Sequence, residues 1–336
     1  GAQASEPAAG GEAAAAARPP LGAGCRARPQ ASVPTAVRLS LPDWLYEALA
    51  AEYGSAEAEA IGTALLEPAP LDLRVNTLRA SVAAARSSLA RQGIRAEPIA
   101  GLPAGLRVHG KPALEGTQVY AQGWIEVQDA GSQWLAQLVA APRGAVVVDF
   151  CAGAGGKALA LAVAMRASGQ IYALDVSARR LQRLQPRLAR AGVTMVQPMV
   201  IDGERDPKLE RLRGRADRVL VDAPCSGTGT LRRNPDLKWR LQPQDIAGFA
   251  AAQQRILEAA AALVRPGGRL IYATCSLLSA ENEAVARAFE RVHPEFEPLA
   301  LEGEGSGRGY ACRLPHVHGC DGFFAAGFAR RSGGAS

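Results

Sequence analysis

Cysteine, lysine and aromatic residues are all scarce in this 336-residue chain. Six cysteines, at 25, 151, 225, 275, 312 and 320, are too few and too irregularly spaced for a disulfide framework, so reduced thiols are expected. Only four of the 38 basic residues are lysine (Lys111, Lys157, Lys208 and Lys238), and the chain is rich in alanine. Nucleotide composition bias produces that same pattern, so the net charge of +6 does not by itself argue for a nucleic-acid partner. Apolar runs of membrane length, roughly 18 to 20 residues, are missing too. Glu6, Pro7, Glu12, Arg18 and Pro19 interrupt the alanine-rich N-terminus, which excludes a signal-peptide pattern. No membrane partner is expected, and a cytoplasmic location is.

What is present excludes a mainly disordered chain: 48% of residues are hydrophobic and 21% charged. The length fits one large domain and a smaller companion. Residues 1–37, rich in alanine, glycine and proline, read as a disordered tail. Residues 38–118 read as a small α/β domain. In it Asp43 opens an amphipathic helix, Leu71 to Asn76 alternate as a strand, and Ser81 caps a helix to about Gln92. Its stretch from 38 to 115 has a net charge of −1, while residues 116–336 carry +6.

Residues 119–331 alternate short apolar strands with helices. Strands are expected at 146–149, 171–175, 195–200, 218–222 and 269–274, and helices at about 157–168, 177–191, 244–265 and 279–292. That alternation predicts a doubly wound, mostly parallel α/β sheet of Rossmann type, which binds ligands at the carboxyl ends of its strands. Asp149, Asp175 and Asp222 end three of the strands, a fourth leads to Asp202, and the fifth runs into Cys275.

The segment Asp149-Phe-Cys151-Ala152-Gly153-Ala154-Gly155-Gly156-Lys157 joins a strand to a helix. Glycines let a ligand approach the backbone there, and the helix N-terminus adds a positive field. Asp175, on the next strand, suits ribose hydroxyls or the cap of the following helix. The loop alone implies a cofactor containing a nucleoside and does not separate a nicotinamide dinucleotide from S-adenosylmethionine.

Two cysteines separate them. Asp222-Ala-Pro-Cys225-Ser and Thr274-Cys275-Ser276 end neighbouring strands, which brings two thiols over one crevice. Hydride transfer has no use for such a pair. Methylation of a pyrimidine at C5 does, because a thiolate adding to C6 makes C5 nucleophilic, a carboxyl near N3 and N4 stabilises the addition, and a second group assists loss of the C5 proton.

With these motifs, residues from about 119 to 330 resemble the RsmB/NSUN (Sun) family of RNA 5-methylcytosine methyltransferases. Further matches are Gln128-Asp-Ala-Gly-Ser132, Asn234-Pro-Asp236, Pro266-Gly-Gly268 and Asp321-Gly-Phe-Phe324. The resemblance implies S-adenosylmethionine as cofactor, with contacts from 151–157, Asp175, Asp202 and Asp222. It implies Cys275 as nucleophile, Cys225 assisting proton loss and release, and Lys157 orienting Asp222 or the base. Its RNA would be rRNA, with tRNA the alternative. Ala154 stands where the family usually has proline.

Leu71 to Thr77 matches the small N-terminal domain of bacterial members. The chain then reads as a short, monomeric member, or as a piece of a longer one, without counterparts of the NusB-like and PUA domains that longer relatives carry.

Arg232, Arg233, Lys238, Trp239 and Arg240 cluster just after the Pro-Cys turn and are the expected RNA contacts. Arg179, Arg183, Arg187 and Arg190 share a helical face that reads as solvated. His316, His318, Cys320 and Cys312 lack the spacing of a zinc site, and no metal is expected. Two rivals stay open: a nicotinamide oxidoreductase and a catalytically silent RNA-binding or ribosome-assembly factor.

Overall fold

The computed structural model describes residues 33–301 and 309–332. Most of the expected tail lies outside the described residues, but α1 (Thr35–Arg38) begins inside it and buries Ala36. Helices α2 (Asp43–Tyr53) and α3 (Ser55–Leu66) follow. Next come β1 (Leu71–Val75), α4 (Val82–Arg91), β2 (Ala96–Ile99), β3 (Leu102–Val108), α5 (Gln118–Ala121) and β4 (Ile125–Val127). The Ser81 hydroxyl accepts from the Ala84 N–H and caps α4, as its position in the sequence predicts.

Among the described residues the strands form two sheets. The first is antiparallel, in the order β2-β3-β1-β4. Its last strand lies beyond residue 118, so the expected domain boundary falls inside this sheet. Val119 and Ile125 pack in one core with Leu73, Val75, Leu89 and Leu106.

The second sheet begins after α6 (Ala130–Leu138). It is built from β5 (Val146–Asp149), α7 (Gly156–Ala164), β6 (Gln170–Asp175), α8 (Ala178–Gln182), α9 (Leu184–Ala191), β7 (Val196–Val200) and β8 (Ala216–Asp222). The chain continues through α10 (Leu237–Arg240), α11 (Pro243–Ala261), β9 (Val264–Thr274) and α12 (Glu283–Val292). It ends with β10 (Phe296–Pro298), β11 (Tyr310–Arg313), α13 (Pro315–His318) and β12 (Phe323–Arg330). The strand order is β10-β12-β9-β8-β5-β6-β7, with β5 to β9 parallel and β12 antiparallel beside β9.

All four expected helices differ in extent: α7 stops at Ala164 instead of 168, and α12 starts at Glu283 instead of 279. The stretch 177–191 is broken into α8 and α9 because Pro186 cannot donate to the Gln182 carbonyl and its ring crowds that turn. The helix expected to reach 265 ends at Ala261, since Val264 already pairs with Ala216 in the sheet.

The chain winds outward from β5 in both directions, so β5 and β8 flank the point where strand order reverses. A crevice opens there at the carboxyl ends. Asp222 pairs in register with Ala273, so Cys225 and Cys275 leave their strands at nearly the same level. Apolar residues of α2 and α3 (Leu45, Leu49, Ile61 and Leu65) pack in one cluster with Leu231, Leu277 and Leu278, which follow the two cysteines. The N-terminal helices therefore brace both cysteine-bearing turns.

Gly229 stitches three segments together. Its N–H donates to the Cys275 carbonyl and its own carbonyl accepts from the Gly322 N–H, both at 2.8 Å. A Cβ at Gly229 would stand 2.3 Å from the Gly322 oxygen, a backbone atom that cannot swing aside. Gly229→Ala is expected to cost about 2–3 kcal/mol by overpacking, read by chemical denaturation.

Candidate active site

A cavity of about 780 Å3 occupies the crevice. The glycine loop forms one wall. Gly153 and Gly155 have φ of 56° and 76°, a region that residues with a Cβ rarely adopt. The Gly153 N–H donates to Asp175 Oδ2 at 2.8 Å, and the Ser177 N–H donates to Oδ1 at 2.7 Å. Asp175 thus ties the loop to the end of β6, while Ser177 caps α8.

Cys151, Ala152, Gly153, Ala154, Gly156, Lys157 and Asp175 all line the cavity. Gly155 does not; it turns toward Leu184, and a Cβ there would meet that side chain at 2.2 Å. Asp202 is a second departure from expectation. It is exposed between Ile201 and Gly203, which line the cavity in its place.

The other wall carries ionisable groups. Lys157 Nζ donates to Asp222 Oδ2 at 2.6 Å. Burial disfavours the ammonium, but Asp222 outweighs that and holds Lys157 above its ordinary pKa. Asp149 is fully buried, and among the described residues neither carboxyl oxygen has a close hydrogen-bond partner. Burial, and then the nearby Asp222 charge, push its pKa to about 7. Cys225 Sγ and Cys275 Sγ are 3.4 Å apart, and both thiols face the cavity. The contact with Cys275, then burial, then the Cys275 and Glu281 charges hold Cys225 well above the usual thiol pKa.

The family description "16S rRNA methyltransferase RsmB/F" matches residues 136–329, and "Methyltr_RsmF/B-like, ferredoxin-like domain" matches 41–115. The chain belongs to the RsmB/F family.

It is 40% identical over 296 residues to the probable ribosomal RNA small subunit methyltransferase B of Synechocystis, covering 85% of this chain and 66% of that protein. The Bacillus subtilis relative of the same name is 33% identical over 304 residues, covering 88% of this chain and 68% of its own length. The chain therefore spans about two thirds of these relatives. A methyltransferase homologue from Pyrococcus horikoshii superposes with a TM-score of 0.77 at 29% identity, covering 88% of this chain and 97% of that one. NSun6 from the same organism shares the fold, with a TM-score of 0.78 at 22% identity over 86% and 98% of the two chains.

The basic cluster after the RsmB/F Pro-Cys turn is not the open surface its sequence suggests. The Arg232 side chain is buried: its Nε donates to Asp321 Oδ1 at 2.7 Å, and Asp129 lies 3.9 Å from its Nη2. Arg233, one-third exposed at the cavity edge, donates to Asp129 Oδ2 at 2.8 Å and to Asp321. Two buried carboxylates need these cations, which removes Arg232 from any RNA surface and ties up Arg233. Lys238 is buried beside Trp239, its ammonium 5.6 Å from the ring, and burial lowers its pKa. Trp239 remains 57% exposed, and Arg240 is exposed in a pair with Asp236.

The arginine face on α8 and α9 departs from its solvated reading as well. Arg187 and Arg190 both bind the buried Glu126 of β4, and Arg187 also donates to the Ala154 carbonyl of the glycine loop. Arg180 and Arg183 line the cavity and have no acidic partner among the described residues. A charge pattern cannot announce this, because Glu126 lies some sixty residues away in sequence. Arg232→Ala is expected to cost about 1–3 kcal/mol, since it leaves Asp321 Oδ1 without its donor while Arg233 still holds Oδ2, whereas Arg240→Ala should cost under about 1 kcal/mol. Urea titration of both variants checks the contrast.

Proposed function

We propose that this RsmB/F chain methylates C5 of cytosine in RNA, with rRNA as the substrate class and tRNA the alternative. The observation that carries the reading is the thiol pair 3.4 Å apart, beside the Lys157–Asp222 pair, in a cavity walled by the glycine loop and Asp175. The names of the curated relatives support the same RNA class.

The cavity suits S-adenosylmethionine. A Cβ at Gly153 would meet nothing within 4 Å, so the loop leaves room for a ligand against its backbone. Asp149, Asp175 and Asp222 line the space together with Lys157, Arg180 and Arg183, so it is the paired thiols and not the lining charge that weigh against a nicotinamide dinucleotide. Asp175 would take ribose hydroxyls, with the loop 151–157 and Asp222 along the rest of the molecule. Asp202, exposed at the rim, is left as a contact from the edge. When bound, S-adenosylmethionine supplies a methyl group on a sulfonium.

The residues divide the remaining work. With one proton shared between the sulfurs, Cys225 holds it and Cys275 is the thiolate that adds to C6. Asp222, held by Lys157, accepts from the exocyclic amine of the base and stabilises the addition. Cys225 releases its proton to solvent and then takes the one leaving C5, and the C6–S bond breaks to return the Cys275 thiolate. The raised pKa of Cys225 means that its sulfur, once deprotonated, is a strong base for the proton leaving C5. Exposed Trp239 offers a stacking face, and Arg180 and Arg183 offer charge to phosphates at the cavity mouth. The intact cysteine and Asp222 set weighs against a silent binding factor.

S-adenosylhomocysteine should raise the thermal midpoint of the wild type, and Asp175→Ala should remove most of that shift. Stabilisation by NADH alone would refute the cofactor. Cys275→Ala should abolish methylation and leave no covalent RNA complex. Cys225→Ala should accumulate a complex that survives denaturing electrophoresis, and the double variant should lose it. A reversed pattern would exchange the two roles.

A further inference from the structure

Directly beneath the two thiols lies a carboxylate that none of the steps above uses. Glu281, in the turn between β9 and α12, is completely buried and has no cation within ion-pair distance among the described residues. Its Oε1 accepts from the Ser226 N–H at 2.8 Å and from Gln253 Nε2 of α11 at 3.0 Å. Its Oε2 accepts from the hydroxyls of Ser226 and Ser276. All four contacts come from donors, so the carboxylate form satisfies every one of them. Ser226 follows Cys225 and Ser276 follows Cys275. One side chain therefore grips the residue next to each thiol.

The surroundings hold Glu281 as firmly as it holds the turns. Tyr272 OH donates to the Glu281 carbonyl, Asn282 Nδ2 donates to the Ser276 carbonyl at 3.0 Å, and Thr274 Oγ1 donates to Asn282 Oδ1. Gln253 Nε2 also reaches the Pro224 carbonyl at 3.0 Å, just before Cys225. A core built only for stability would put apolar residues here, because a buried charge without a counter-ion is costly to desolvate.

We propose that Glu281 is a positioning residue that sets the distance between the two thiols and, through its charge, decides which of them keeps the proton. The proposal rests on the two-thiol reading above. Cys225 faces Cys275, Glu281 and Tyr272, with Asp222 and Lys157 across the cavity. Of these, the Cys275 and Glu281 charges oppose ionisation of Cys225 directly. A negative charge fixed beside Cys225 leaves Cys275 as the sulfur that gives up its proton and attacks.

The test uses Glu281→Gln, which keeps size and shape. Its amide oxygen still accepts from Ser226 N–H and Gln253, and its NH2 can donate to the two serine hydroxyls; only the charge is lost. Iodoacetamide labelling across pH, read by peptide mass spectrometry, needs neither RNA nor cofactor. In E281Q, Cys225 should become reactive at a pH lower by about half a unit or more. Methyl transfer to an unmodified small-subunit rRNA transcript should show kcat down about tenfold, with KM for RNA changed less than about threefold.

Wild-type labelling and wild-type kcat in E281Q would overturn the proposal, as would a rise in KM alone. Should E281Q not fold, Ser276→Ala removes the donor to Glu281 from the Cys275 turn, together with that hydroxyl's contacts to Ser226, Thr228 and the Leu278 N–H. It should lower kcat at unchanged KM, and a wild-type kcat there overturns the proposal as well. If the unaltered protein transfers no methyl group, the functional reading fails, while the labelling profile still decides the part played by Glu281.

Discussion

Parallel pairing of β8 with β9 is the constraint on which the site depends. The register sets Asp222 beside Ala273, and each chain then leaves the sheet through a short turn carrying a cysteine. The two sulfurs sit 3.4 Å apart, and both turns are held from below and from the side. From below, Glu281 joins Ser226 to Ser276. From the side, Gly229 bonds to the Cys275 carbonyl and to Gly322, and the helices α2 and α3 press Leu277 and Leu278 inward.

The small N-terminal sheet takes part in the same architecture through charge rather than through a surface. Asp72 of β1 binds Arg107 and accepts from the Ala130 N–H at the start of α6. Asp129, one residue earlier, meets Arg233 beside the Pro-Cys turn. Glu126 of β4 anchors Arg187, which in turn holds the Ala154 carbonyl in the glycine loop. Of these three carboxylates only Asp72 belongs to the stretch 38–115 with its net charge of −1; Glu126 and Asp129 lie just beyond it. Such pairs add little net stability by themselves, since desolvation offsets most of the attraction. Their value here is geometric: they join the two sheets at the rim of the cavity.

Much of the site was legible in the sequence because its elements are local. The glycine loop, the Asp at the end of β6, and the Pro-Cys and Thr-Cys turns each occupy a few consecutive residues at a strand end. Hydrophobic period and turn chemistry are enough to place strand ends. The open end of a doubly wound sheet then follows from topology. Helix bounds were legible where a cap such as Ser81 marks them, and less so where Pro186 divides α8 from α9 or where pairing with Ala216 shortens α11.

The sequence by itself determined the elements, the edge on which the polar groups gather, and the pair of cysteines, since each depends on neighbours in the chain. Tertiary structure alone decided which charges are available. Arg232 and Arg187 look alike in sequence to Arg240 and Arg183, yet the first two meet buried carboxylates contributed from Asp321 and Glu126 and the second two do not. Glu281 lacked any signal as a site residue for the same reason. Its donors come from residues 226, 253 and 276, and only folding brings them around one carboxylate in a medium where an unpaired charge is too costly to leave unsatisfied.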